Sequence, residues 1–81
     1  MRKQLNTIIH SLVVESEVPA KNIAKAVGKA YPTLLREVNP YDKGAKLSAE
    51  TLLGIMRVTK NIAPLQYMAN RLGYDLIQKS E

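Results

Sequence analysis

The stretch IAKAVGKAYPTLLREVNP, residues 23–40, decides how this chain folds. Ala24 stands four residues before Gly28, and Leu34 follows that glycine by six. Ile23, Ala24 and Val27 fall on one side of a helix expected over about residues 19–27. Pro19 suits its first turn, where a missing N–H costs nothing. Gly28 then ends that helix in the left-handed conformation, which glycine adopts without a Cβ clash. Tyr31 and Pro32 begin the next helix, with Leu34, Leu35 and Val38 as its buried stripe. Asn39 closes it, because the residue before Pro40 is pushed out of the helical region. Two short helices joined by a tight glycine turn can hold the second one proud of its domain, where exposed side chains reach the DNA major groove. The same spacing describes a plain helical hairpin in a bundle.

Upstream, Leu5, Ile8, Ile9, Leu12 and Val13 repeat as one face of a 3.6-residue helix over residues 3–14. His10 lies on the opposite, polar face and reads as a solvated histidine. Downstream, PYDKGAK is an exposed basic loop with Asp42 and Gly44 as turn formers. Ser48 is the N-cap of a helix running to about residue 59. Leu52, Leu53, Ile55, Met56 and Val58 make that helix apolar on almost every side and mark it as the central core helix. Gly54 in its interior costs about 1 kcal/mol against alanine, which points to a close approach by a neighbouring backbone. Pro64 opens the last helix, with Leu65, Met68, Ala69 and Leu72 turned inward, and Gly73 stops it. Beyond lies an apolar tail, residues 74–81, whose Tyr74, Leu76 and Ile77 cap the core or cover a partner subunit. The expectation is one all-α domain of five helices over residues 1–81, with a helix-turn-helix at about 19–39.

Composition narrows the function. Eighty-one residues support one core, and its aliphatic content must supply the packing because four Tyr are the only aromatics. With no Cys and one His, neither a disulfide nor a His/Cys metal site can be assembled. No apolar stretch approaches the roughly 20 residues of a membrane span. The chain is therefore expected to need no metal or cofactor and to be soluble and cytoplasmic. Asp42 and Asp75 are isolated, Ser48 has no His motif beside it, and no phosphate-cradling glycine loop is present, so an enzyme is not expected.

The net charge is +5. Residues 1–46 carry eight basic and four acidic side chains, against four and three in residues 47–81. The positive field thus surrounds the glycine turn, favours a polyanion and tips the reading from plain hairpin toward double-stranded DNA. The base-contact candidates are Arg36, Thr33, Pro32 and Tyr31. Arg36 comes first because its forked guanidinium matches O6 and N7 of guanine, although pairing with Glu37 or another acid would explain it equally well. Thr33 suits a base, a phosphate or a thymine methyl. Tyr31 either meets the DNA or packs on the turn with its polar tip near phosphate. Lys21, Lys25 and Lys29, four apart, form a basic ridge suited to phosphates, and Lys43 and Lys46 in the loop are comparable.

Several segments resemble one family. YPTLLREVNP, YDKGAKLSAETLLGIM and NIAPLQYMANRLG, within about residues 23–72, resemble the phage regulatory protein CII family. The resemblance rests on Tyr31, Thr33 and Leu34, Asn39-Pro40, Lys46-Leu47, Leu52-Leu53, and Pro64-Leu65 before Gly73. It implies a small helix-turn-helix transcription factor with a lambda-repressor-like fold, binding operator DNA in the bacterial host, at the nucleoid, to control lysis and lysogeny. One position departs from the usual motif. The apolar residue that many such motifs place nine positions after the turn glycine is Glu37 here, so a longer or slightly rotated third helix is expected, with Glu37 among the outward candidates. A single short reading helix covers few base pairs, which predicts a homo-oligomer, a dimer or higher. The rival reading is a helical protein-interaction module, antitoxin-like or an adaptor, whose apolar tail binds a protein partner.

Overall fold

Each local signal meets its helix in the computed structural model, which describes residues 3–42 and 44–79. Five helices follow in order: α1 Lys3–Val14, α2 Ala20–Ala26, α3 Tyr31–Val38, α4 Ala49–Thr59 and α5 Ala63–Leu72. No strand occurs among the described residues. None of the helices is long and apolar enough to cross a membrane. The base-contact candidates lie on α3, while Lys43 falls outside the described residues.

The stops are as local as their signals. The Pro19 carbonyl accepts the Ile23 N–H at 3.0 Å and starts α2. Gly28, at φ +75°, ends it. There the Lys29 N–H reaches the Ala24 carbonyl at 2.9 Å and the Gly28 N–H reaches Lys25 at 3.2 Å, the paired closure of a left-handed glycine. Gly73, at φ +85°, ends α5 in the same way. Ser48 Oγ accepts the Thr51 N–H at 3.1 Å and caps α4.

The core differs from expectation in where it is centred. Ile9, Leu12 and Val13 of α1, Ile23 and Ala24 of α2, Leu34 and Val38 of α3 and Ile55 of α4 form it. α1 packs against all four other helices, whereas α4 packs only against α1 and α2. α1 is therefore the central helix. Of the apolar run in α4 only Ile55 is fully buried, and Leu53 is exposed. α5 packs on α1 alone, joined there by the Tyr67 hydroxyl donating to Gln4 Oε1 at 3.2 Å. One neighbour cannot cover a helix face, so Leu65 and Leu72, expected inward, are exposed, Leu72 by 73%. Tyr74 and Ile77 of the tail are more than two-thirds exposed and do not cap the core. Its last residues, 80 and 81, lie outside the described residues.

Gly54 has the close neighbour that its place in a helix implied. A Cβ built on it would lie 2.8 Å from Val27 Cγ1, so the glycine lets α4 approach the end of α2, and the contact is a side chain rather than backbone.

Candidate nucleic-acid interface

The surface around the glycine turn is built on α2, α3 and the loop that follows. Leu34 and Val38, 0% and 3% exposed, root α3 in the core, and Ile23 and Ala24 do the same for α2. A helix anchored along one side presents the other: Pro32, Thr33 and Arg36 are exposed together, at i, i+1 and i+4. Three of the four base-contact candidates thus share one ridge. Tyr31 stands apart from them. It is half-buried and packs against the core, with Lys21 Nζ 5.7 Å from its ring centroid, within cation–π range. Leu35, expected in the buried stripe, is only half-buried.

Glu37 explains the departure from the usual motif. It does not point outward. Its side chain is 12% exposed, in the place an apolar residue normally fills, and its Oε2 accepts from Lys29 Nζ at 3.1 Å. Its Oε1 is shut off from solvent and has no hydrogen-bond partner among the described residues. α3 therefore needs no extra length or rotation; a half-buried ion pair replaces the apolar contact, at the desolvation cost such pairs carry.

That pair also divides the expected lysine ridge. α2 ends at Ala26, and the left-handed Gly28 turns the chain before Lys29. Lys21 and Lys25 remain exposed on α2, while Lys29 lies in the turn, 32% exposed and bound to Glu37. Lys46 is exposed on the loop. The periodicity expected of three lysines on one helix stops where the helix does.

Arg36 also has a partner. Its Nε donates to Asp42 Oδ2 at 3.1 Å, while the other carboxylate oxygen accepts the Gly44 N–H at 2.9 Å. Hydrogen bonding from Arg36 and then from the Gly44 backbone holds the Asp42 carboxyl below the usual aspartate range. The pairing with a neighbouring acid leaves the arginine side chain 64% exposed. Asp42 itself carried no signal beyond that of a turn former.

The phage regulatory protein CII (CP76) family model matches residues 3–81. The chain belongs to this family. No curated protein and no solved structure matches it. The family match extends well beyond the segments that carried the resemblance, taking in α1 and the apolar tail, and makes this a phage regulatory protein. In this CII-family chain the exposed residues Pro32, Thr33 and Arg36 of α3 are accompanied by exposed Lys21 and Lys25 on α2 and exposed Lys46 on the loop.

Proposed function

We propose that the protein is a sequence-specific, DNA-binding transcriptional regulator that controls the lysis–lysogeny choice, with α2, the glycine turn and α3 acting as a helix-turn-helix. The observation that supports this best is the exposed Pro32–Thr33–Arg36 ridge on a short helix held from behind by fully buried Leu34 and Val38. Placed in a major groove, Arg36 donates to a guanine, Thr33 meets a base edge or thymine methyl, and Lys21, Lys25 and Lys46 reach the phosphates. Lys43, next to Asp42 in sequence, is a further phosphate candidate. Tyr31 serves this surface indirectly, by packing under it. The role is binding without catalysis, in the cytoplasm of the bacterial host at its nucleoid.

The regulator acts as a homo-oligomer. Leu72, Tyr74, Leu76 and Ile77 are exposed apolar residues at the end opposite in sequence to the reading helix, and a second copy covering them would bring two α3 ridges to repeated half-sites. The same exposed residues favour the second reading, a protein-interaction module. Sequencing the DNA bound from a randomised duplex pool at about 150 mM salt separates the two, a concentration at which purely electrostatic binding is already weakened. A regulator enriches a motif, and Thr33→Ala or Arg36→Ala relaxes single positions of it. Binding that enriches no sequence, while Leu72→Ser with Ile77→Ser abolishes biological function, would favour the interaction module.

A further inference from the structure

Arg36 does not extend freely from α3. A flexible arginine loses rotamer freedom whenever it docks on a base, so a group that holds it beforehand sharpens discrimination. Here the loop after α3 supplies such a group. The Asn39 carbonyl accepts the Asp42 N–H at 3.2 Å and Asn39 Oδ1 accepts the Tyr41 N–H at 2.9 Å, which folds the chain back toward α3. Asp42 Oδ1 is held by the Gly44 N–H, leaving Oδ2 for Arg36 Nε. Leu47 packs on the core and secures the loop's far end. A Cβ on Gly44 would come within 3.7 Å of Arg36 Nη2, so the loop backbone passes close beside the guanidinium. Only Nε is committed: among the described residues neither Nη group has a hydrogen bond.

We propose that Asp42 is a specificity-determining positioning residue, which pins Nε of Arg36 so that its two Nη groups form a preset fork for O6 and N7 of one guanine. This rests on α3 being the reading helix. Asp42 touches no base. Its carboxylate sets the guanidinium plane, and its negative charge near the groove disfavours phosphate or any base that does not draw the arginine forward.

The test selects bound duplexes from a randomised pool with wild-type protein, Arg36→Ala, Asp42→Asn and the double variant, each checked for helix content and melting. Asp42→Ala repeats the measurement should Asp42→Asn melt early. Wild type is expected to enrich a guanine that Arg36→Ala erases. Asp42→Asn then lowers guanine preference in that column by about tenfold, within the range of one bidentate contact, and leaves the other columns unchanged. In the Arg36→Ala background it adds nothing. If Arg36→Ala erases the guanine while neither Asp42 variant changes it, Asp42 has no positioning role and α3 still reads DNA. A sharper guanine column in Asp42→Asn also overturns the proposal, since the pair would then restrain Arg36 from DNA. If Arg36→Ala erases no column but Thr33→Ala does, α3 reads without Arg36 and the proposal fails. If wild type enriches no motif, the α3 reading falls and takes the proposal with it.

Discussion

Gly54→Ala places a methyl group at the α4–α2 contact, and two opposing effects of known size decide its outcome. The new Cβ would stand 2.8 Å from Val27 Cγ1 and 3.6 Å from Val27 Cβ. Carbon atoms attract best at about 3.5–4.0 Å, so the first contact overlaps by about 1 Å and the second is ordinary. Val27 cannot yield easily, because a β-branched side chain has a stiff χ1 and this one is partly buried at the end of α2, just before the Gly28 turn. Overpacking of this kind costs about 1–3 kcal/mol, while replacing a mid-helix glycine by alanine returns about 1 kcal/mol. The expected net effect is a loss of about 1 kcal/mol. In a Val27→Ala background the clashing Cγ1 is gone, and the same substitution should stabilise by about 1 kcal/mol, a coupling of about 2 kcal/mol. Urea unfolding of the four proteins, followed by helical circular dichroism at one fixed protein concentration, measures this, provided the slopes agree. The reasoning is refuted if Gly54→Ala raises the midpoint in the wild-type background, or shifts it equally in both.

Other positions separate backbone from packing and stability from recognition. An added Cβ at Gly28 meets nothing within 4 Å, so Gly28→Ala should cost about 1 kcal/mol in urea unfolding from its positive φ alone, and Gly28→Asn less. Lys25→Ala should reduce the slope of log affinity against log salt by about one, whereas Lys29→Ala should leave that slope unchanged and cost about 1–3 kcal/mol of stability by stranding Glu37. Adding Glu37→Leu to Lys29→Ala should recover most of that stability, because the apolar residue needs no counterion. Asp42 should titrate below the usual aspartate range in an NMR titration, and Arg36→Ala should bring its midpoint back toward that range. Because its folded-state pKa is depressed, the loop contact it supports is fully present above the ordinary aspartate range and lost as pH falls through the lowered value. Guanine preference should therefore be flat between about pH 5 and 8 as far as Asp42 is concerned.

Much of the candidate surface could be read before the fold was known. Their apolar spacing turns Leu34 and Val38 inward, and their burial leaves Pro32, Thr33 and Arg36 exposed together. The turn at Gly28 and the cap at Ser48 follow from side-chain chemistry acting within one helical turn. The spacing of four from Lys21 to Lys29 runs past the glycine that ends α2, so Lys29 does not share a helix with Lys21 and Lys25. Glu37 in an apolar position was the one visible sign of a partner, yet Lys29 lies eight residues away and is not a helical neighbour. Similarly, α4 looked central because apolar residues surround it, a property that does not say how many helices will pack there.

Helix positions and their stops were thus legible from the chain alone, since periodicity, proline, glycine and serine caps act over a few residues. The central place of α1, the bond from Glu37 to Lys29, the hold of Asp42 on Arg36 and the uncovered apolar side of α5 and the tail emerged only once the chain was folded. Those features depend on where reversals of the backbone bring distant side chains and on how many neighbours each helix finds. No short-range propensity carries that information, because a charged or apolar residue looks the same in sequence whether or not its partner arrives.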